Sequence, residues 1–235
     1  MIIHIGTITT MSKLNSTTLF SLWAFVSLAI VQGASAQSVS FQAEVPEAAH
    51  AAANKSLKTL RSLSAPDAAV TVDGVSPTGL DANAKLGAPL QDYVIGLTSL
   101  RDWSGKNPLT LLRSTGQFVY PIVVEGSTKT SVTIAKVKGD WTAAIFGSAN
   151  EARARSRIQE MLNAKAPGGN ANVIQVRIPA LNVTFIGQEN SGDVQFTPLY
   201  SRPNLGVEAG KTEAAESVLL RLRSAAKSVD PNLPQ

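Results

Sequence analysis

Between Gln117 and Leu162 the chain reads QFVYPIVVEG, STKTSVTIAKV, KGDWTAAIFG and SANEARARSRIQEML. Three short apolar runs are divided by two turn signals, and a helix pattern follows. This order leaves few folds open. Phe118 to Val124 is almost continuously apolar and rich in β-branched and aromatic residues, which suits a buried pleated surface. Glu125-Gly126-Ser127 is a turn, because glycine tolerates the positive φ that a tight reversal needs. Val132 and Ile134 alternate with Ser131 and Thr133, the period of a half-buried strand. Lys138-Gly139-Asp140 is the second turn, after which Trp141, Ala143 and Ile145 are expected on one face of a third strand. Connections this short favour antiparallel neighbours, so the segment is expected to be a meander.

Ser148 followed by Glu151 is a capping box at the end of the third strand. Behind it Ala154, Ile158, Met161 and Leu162 make one apolar stripe at helical spacing. Arg153, Arg155 and Arg157 fall off that stripe. Glu151 and Arg155 form an i,i+4 pair of favourable order. Pro167-Gly168-Gly169 stops the helix.

The first 36 residues have the features of a secretory leader. Leu19 to Val31 is an apolar core too short to span a bilayer comfortably, Lys13 supplies a positive flank, and Ala34-Ser35-Ala36 is an A-x-A cleavage site. Met11 is a plausible start, and an uncleaved anchor is the alternative. No Cys follows that core to carry a lipid. The trimmed chain would begin near Gln37, with roughly 200 residues, enough for one substantial core or two small ones. An exported chain with no Cys relies on its core rather than on disulfides, which suits a bacterial periplasm or secreted surroundings. A net charge of +4 is too small and too dispersed to argue for nucleic acid.

Ala43 to Leu63 is helix-prone, with Glu47 early and Lys55, Lys58 and Arg61 late, as the helix dipole prefers. Ala49, Ala53, Leu57 and Leu60 form its stripe. It either packs on the main domain or stands off as an N-terminal arm. Ser64 to Gly87 reads as a linker with at most one short strand near Val70. The expected organisation is therefore a leader over 1–36, a helix and flexible linker over 37–87, and a globular domain over 88–235.

Leu90 to Leu97 is a strand candidate, and Asn107-Pro108 opens a short helix running to Arg113. Beyond the central helix, Ile174, Val176 and Ile178 alternate with Gln175 and Arg177. Leu181 to Ile186 is the next strand, Ser191-Gly192-Asp193 a turn, and Val194 and Phe196 belong to a third strand stopped by Pro198. A last helix starts at Lys211 or Thr212, with Val218, Leu222, Ala225 and Val229 on one face. Ser131-Val132-Thr133-Ile134 resembles Asn182-Val183-Thr184-Phe185, and Gly139-Asp140 resembles Gly192-Asp193. The whole is expected to be α+β: antiparallel sheet packed by helices, as a degenerate strand-strand-strand-helix unit used twice or as two meanders alike by chance.

The chemistry on offer is narrow. The chain beyond the leader has one His, His50, with no nucleophile elbow near it. Cys-based and His-rich metal sites are excluded by composition, and no calcium loop or phosphate-binding glycine loop is present, so no metal and no cofactor is expected. Paired carboxylates could still serve a carboxylate-dependent hydrolase of the cell envelope, the alternative function, but Asp and Glu are scattered and lie mainly in turns and first helical turns, where solvation and capping explain them. Trp103, Tyr120 and Trp141 are the candidate binding aromatics, against a role in covering the sheet. Arg153 and Arg157, with Arg155, form either a surface for an acidic partner or a solvated helix face.

The segment from Leu90 to Phe146, with Y-P-I-V-V-x-G, S-V-T-I, G-D-W and F-G, resembles secreted bacterial proteins of unknown function. Its order of helix and meander is similar to cystatin-like and NTF2-like folds. The cystatin Q-x-V-x-G signature is absent, so that family's inhibitory loop maps to no position here. The leader and the repeated sheet-and-helix halves resemble periplasmic chaperones of the Tic22 type. Catalytic residue types are nearly missing while sheet and aromatic surface is ample, so the chain is expected to be an exported, soluble, non-catalytic α+β protein that binds another polypeptide or an envelope component.

Overall fold

The computed structural model describes residues 41, 44–63, 80, 83–166, 172–190 and 193–229. The leader, the segment around Val70, the Pro167-Gly168-Gly169 stop and Ser191-Gly192 lie outside them. The fold is α+β. Its elements are α1 (Glu47–Leu63), β1 (Lys85–Leu86), β2 (Leu90–Val94), α2 (Leu97–Asp102), β3 (Arg113–Val124), β4 (Ser127–Val137), β5 (Asp140–Gly147), α3 (Ala149–Lys165), β6 (Val173–Ile178), β7 (Val183–Asn190), β8 (Asp193–Pro198), β9 (Glu213–Ala214) and α4 (Ala215–Ser228). Among the described residues no helix is long and apolar enough to cross a membrane.

The nine strands form one sheet in the order β5-β4-β3-β2-β6-β7-β8-β9, with β1 also paired to β3. Every pairing is antiparallel except β2 with β6, which is parallel. Two meanders therefore run outward from β2. In the first, both reversals use two-residue turns whose central residues all take positive φ: Glu125 and Gly126, then Lys138 and Gly139. That twist matches the twist of the flanking strands, which is why such turns join hairpins.

Strand register assigns the faces. Phe118, Gln91 and Ile174 stand side by side across three strands. Their face carries α1 over Tyr120, Ile122, Val132 and Ile134, and α2 with α4 over Val176, Phe185 and Phe196. α1 is thus packed on the sheet through Ala49, Ala53, Leu57 and Leu60, the stripe expected from sequence. The opposite face is covered by α3, whose Ile158 and Leu162 meet Leu90, Val119, Ile186 and Leu199. The order strand-strand-strand-helix does occur twice, but α3 and α4 lie on opposite faces. By position on the sheet, the counterpart of α4 is α1.

Several expectations are corrected. Ile145 does not share a face with Trp141 and Ala143. Thr133 pairs with Ile145 while Ile134 pairs with Ala143, so Ala144 is an extra residue in β5. This β-bulge turns Ile145 to the α3 side, where it is 60% exposed, and gives its place on the α1 side to Phe146. β2 stops at Val94, because Gly96 caps α2 and Leu97 begins it. The turn opened by Asn107 is 3-10 and ends at Leu111. Leu181 belongs to a 3-10 turn, and β7 starts at Val183 after Asn182 takes φ 50°. The last helix begins at Ala215 behind the short β9. In α3 the buried positions are Ala152, Arg155, Ile158 and Leu162, so Arg155 joins the inward stripe.

Candidate functional site

Burying Arg155 requires partners, because taking a guanidinium out of water costs several kcal/mol unless its charge and donors are met. The start of α3 places Arg155 over the sheet. The Ser148 hydroxyl accepts from the Glu151 N–H at 3.2 Å and sets the first turn of α3. Glu151, one turn before Arg155, then takes a hydrogen bond from Arg155 Nη2. Arg155 Nε donates to Gln175 Oε1 at 2.5 Å, and Nη1 reaches Ser131 Oγ at 3.5 Å.

Gln175 passes the chain on. Its Nε2 donates to Asp92 Oδ1 at 2.7 Å. Asp92, 1% exposed, also accepts from Arg177 Nε at 2.9 Å, from Arg177 Nη2 at 2.5 Å and from Thr115 Oγ1 at 3.0 Å. Asp92 pairs with Gln175 across the parallel β2–β6 junction, so the central seam of the sheet carries a polar row under α3. Burial lowers the Arg155 pKa, against the opposing pull of Glu151, Tyr200 and Asp92. The hydrogen bond to Asp92 raises that of Arg177. Burial, then Glu151, raises the Tyr200 phenol. Both oxygens of Asp92 are occupied, and Arg155 is held at three of its nitrogens. The network ties α3 to the sheet.

The residues proposed from sequence are not brought together. Trp103 is buried in the α2–α4 core and donates Nε1–H to Lys106 O at 2.7 Å. Tyr120 is fully buried beneath α1, its ring centroid 5.9 Å from that of His50, and among the described residues its hydroxyl has no hydrogen-bond partner. Desolvation pushes its phenol up to about 12. Trp141 lies half-buried on β5, 5.8 Å from Phe118. Arg153 and Arg157 are exposed on the outer side of α3, with Arg153 Nη2 donating to Asn150 at 2.6 Å. Trp103 and Tyr120 thus pack the core, and Trp141 stands at the sheet's rim.

Sequence reading missed Asp92, Gln175 and Arg177 as a unit. A usable signal was present: an Asp inside the apolar strand LQDYV demands a cation or donors. Among the described residues no group of three or more His, Asp or Glu stands close enough to hold a metal ion. A cleft of about 560 Å³ beside α4 is lined by residues that include Leu181, Leu205, Arg221 and Val229, and carries no carboxylate. Arg221 is held there by Glu213, at 3.2 and 2.7 Å.

The two sheet edges differ. β9 contributes only two residues and runs straight into α4. β5 contributes eight, DWTAAIFG, with no Lys, Arg or Pro, and among the described residues no strand pairs with its outer side. Edge strands are normally shortened, charged, bulged or broken by proline, since their unpaired N–H and C=O groups invite another strand; β5 has the bulge at Ala144 and, of the other devices, only Asp140 at its start. β5 also carries exposed Ile145, and Val137, 47% exposed, sits on the same face of the neighbouring strand.

No family model, curated protein or solved structure matches the chain.

The geometry itself must therefore carry any functional reading. What it offers is a polar tie under α3 and an eight-residue edge strand whose outer side is paired with no described strand.

Proposed function

We propose that this chain is an exported, non-catalytic binding protein that takes an extended polypeptide segment along the outer edge of β5. The carrying observation is that edge: eight residues, unpaired on one side, with Ile145 exposed beside it. Strand addition draws affinity from main-chain hydrogen bonds and specificity from alternate side chains. Here one row of a guest's side chains would meet Trp141 and Phe146, and the other Ile145. The leader features of residues 1–36 support export. In the polar row under α3 the two carboxylates, Asp92 and Glu151, are each bound to an arginine, which does not favour the carboxylate hydrolase there.

The test is photo-crosslinking in cells, with p-benzoylphenylalanine placed at Thr142 and, as a control, at Arg157. Polypeptide adducts from Thr142 in excess over Arg157 are expected. Equal or absent polypeptide adducts at Thr142 would overturn the proposal.

A further inference from the structure

The bulge narrows the choice of guest. A straight strand laid along β5 keeps its side chains in strict alternation, whereas β5 does not: Trp141 and Phe146 share the α1 face, and Thr142 and Ile145 share the α3 face. A bulged edge therefore fits a regular strand poorly; a strand with the same irregularity is the one whose side chains can keep step with it on both faces. We infer that the strand added to β5 is β5 of a second copy, antiparallel, about a two-fold axis between Ala143 and Ala144. This rests on the edge reading above.

The self-pairing is consistent residue by residue. With Ala143 opposite the second copy's Ala144, Thr142 meets Ile145 and Trp141 meets Phe146. Without the bulge this register would set residues of opposite faces against each other. With it, each pair lies on one face in both copies. The centre carries only alanine, so the two bulges meet without bulk. On either side a β-branched pair and an aromatic pair form, the cross-strand combinations that stabilise antiparallel neighbours. An isologous contact of this kind closes at two copies and does not propagate, because the other end of the sheet is the two-residue β9. Two strands of this length give a contact at the small end of specific interfaces, so the dimer is expected to depend on concentration.

The chain has no Cys, so engineered thiols report without background. Residues directly opposite in an antiparallel pair have Cα atoms about 4.5–5.5 Å apart, within disulfide reach. Two single variants, Thr142→Cys and Ile145→Cys, are purified and then mixed under mild oxidation. Each position is exposed in the single chain, so folding is expected to survive. The mixture should give predominantly the Thr142–Ile145 heterodimer, and each variant alone little dimer. Light scattering of the unmodified chain should show a monomer–dimer shift with concentration that Ile145→Lys abolishes.

Homodimers as abundant as the heterodimer, or a monomer at every concentration, would overturn the inference. The crosslinking at Thr142 separates the two claims. Adducts of twice the chain mass support both. Adducts of other masses only keep the edge reading and remove self-pairing. Their absence removes both.

Discussion

Replacing Tyr120 by Phe should make the protein more stable. The Tyr120 ring is fully buried beneath α1, and among the described residues its hydroxyl has no hydrogen-bond partner. A buried polar group left unpaired costs about 1–3 kcal/mol. Phe keeps the ring against His50 and the sheet and deletes only the oxygen, so little new cavity forms. The expected gain is ~1–2 kcal/mol, or about 2–8 °C in Tm for a chain of this size. Tyr120→Ala, by contrast, empties the site and should cost ~3–5 kcal/mol. The pH dependence gives a second reading. Burial raises the folded phenol from 10.0 to about 12, so its neutral form is favoured in the native state. That contribution is fully present below the unfolded value and is lost as pH rises from 10.0 to about 12. Thermal melts of the two proteins should therefore diverge further across that window, with Phe the more stable. A Tm lowered by Tyr120→Phe at neutral pH would mean that the hydroxyl is paired, and would refute the reasoning.

Asp92→Ala removes the acceptor shared by the Gln175 amide, the Thr115 hydroxyl and the partly exposed Arg177 guanidinium, and should cost ~1–3 kcal/mol in chemical denaturation. A loss below 1 kcal/mol would show that the polar row is dispensable. Ser148→Ala removes the cap of α3 and should lower stability by ~1 kcal/mol, seen as a Tm about 2–4 °C lower, whereas an unchanged Tm would mean that the cap is not made. Gly187→Ala should cost ~1–3 kcal/mol. A Cβ there would stand 3.1 Å from Ile174 and 3.3 Å from Phe196, so both side chains would have to give by a few tenths of an ångström. A melt unaltered by that substitution would show that the pocket gives way.

Much of the first meander was readable because its signals are local. The alternation of β4, the glycines of both turns and the Ser148–Glu151 box each act within a few residues. The misreadings have a longer reach. Ala144 carries no mark of a bulge, since alanine suits either face, and only the pairing with β4 shows the extra residue. Arg155 looked outward by charge, yet its partners Gln175 and Ser131 are 20 and 24 positions away. Gln175 and Arg177 were placed on the polar side of β6 correctly, but that side is roofed by α3. Tyr120 and Trp103 illustrate the converse: the residue types that favour binding surfaces also fill cores, and only burial separates the two.

The parallel junction of β2 and β6 bears on how the molecule comes into being. Each meander is knitted by neighbours close along the chain, but Asp92 and Gln175 are 83 positions apart. Closing so long a loop is entropically late work. Refolding should therefore pass through two separately formed halves whose union is the slow event. Under mild denaturant, amide exchange should rise first along that suture, before either half comes undone.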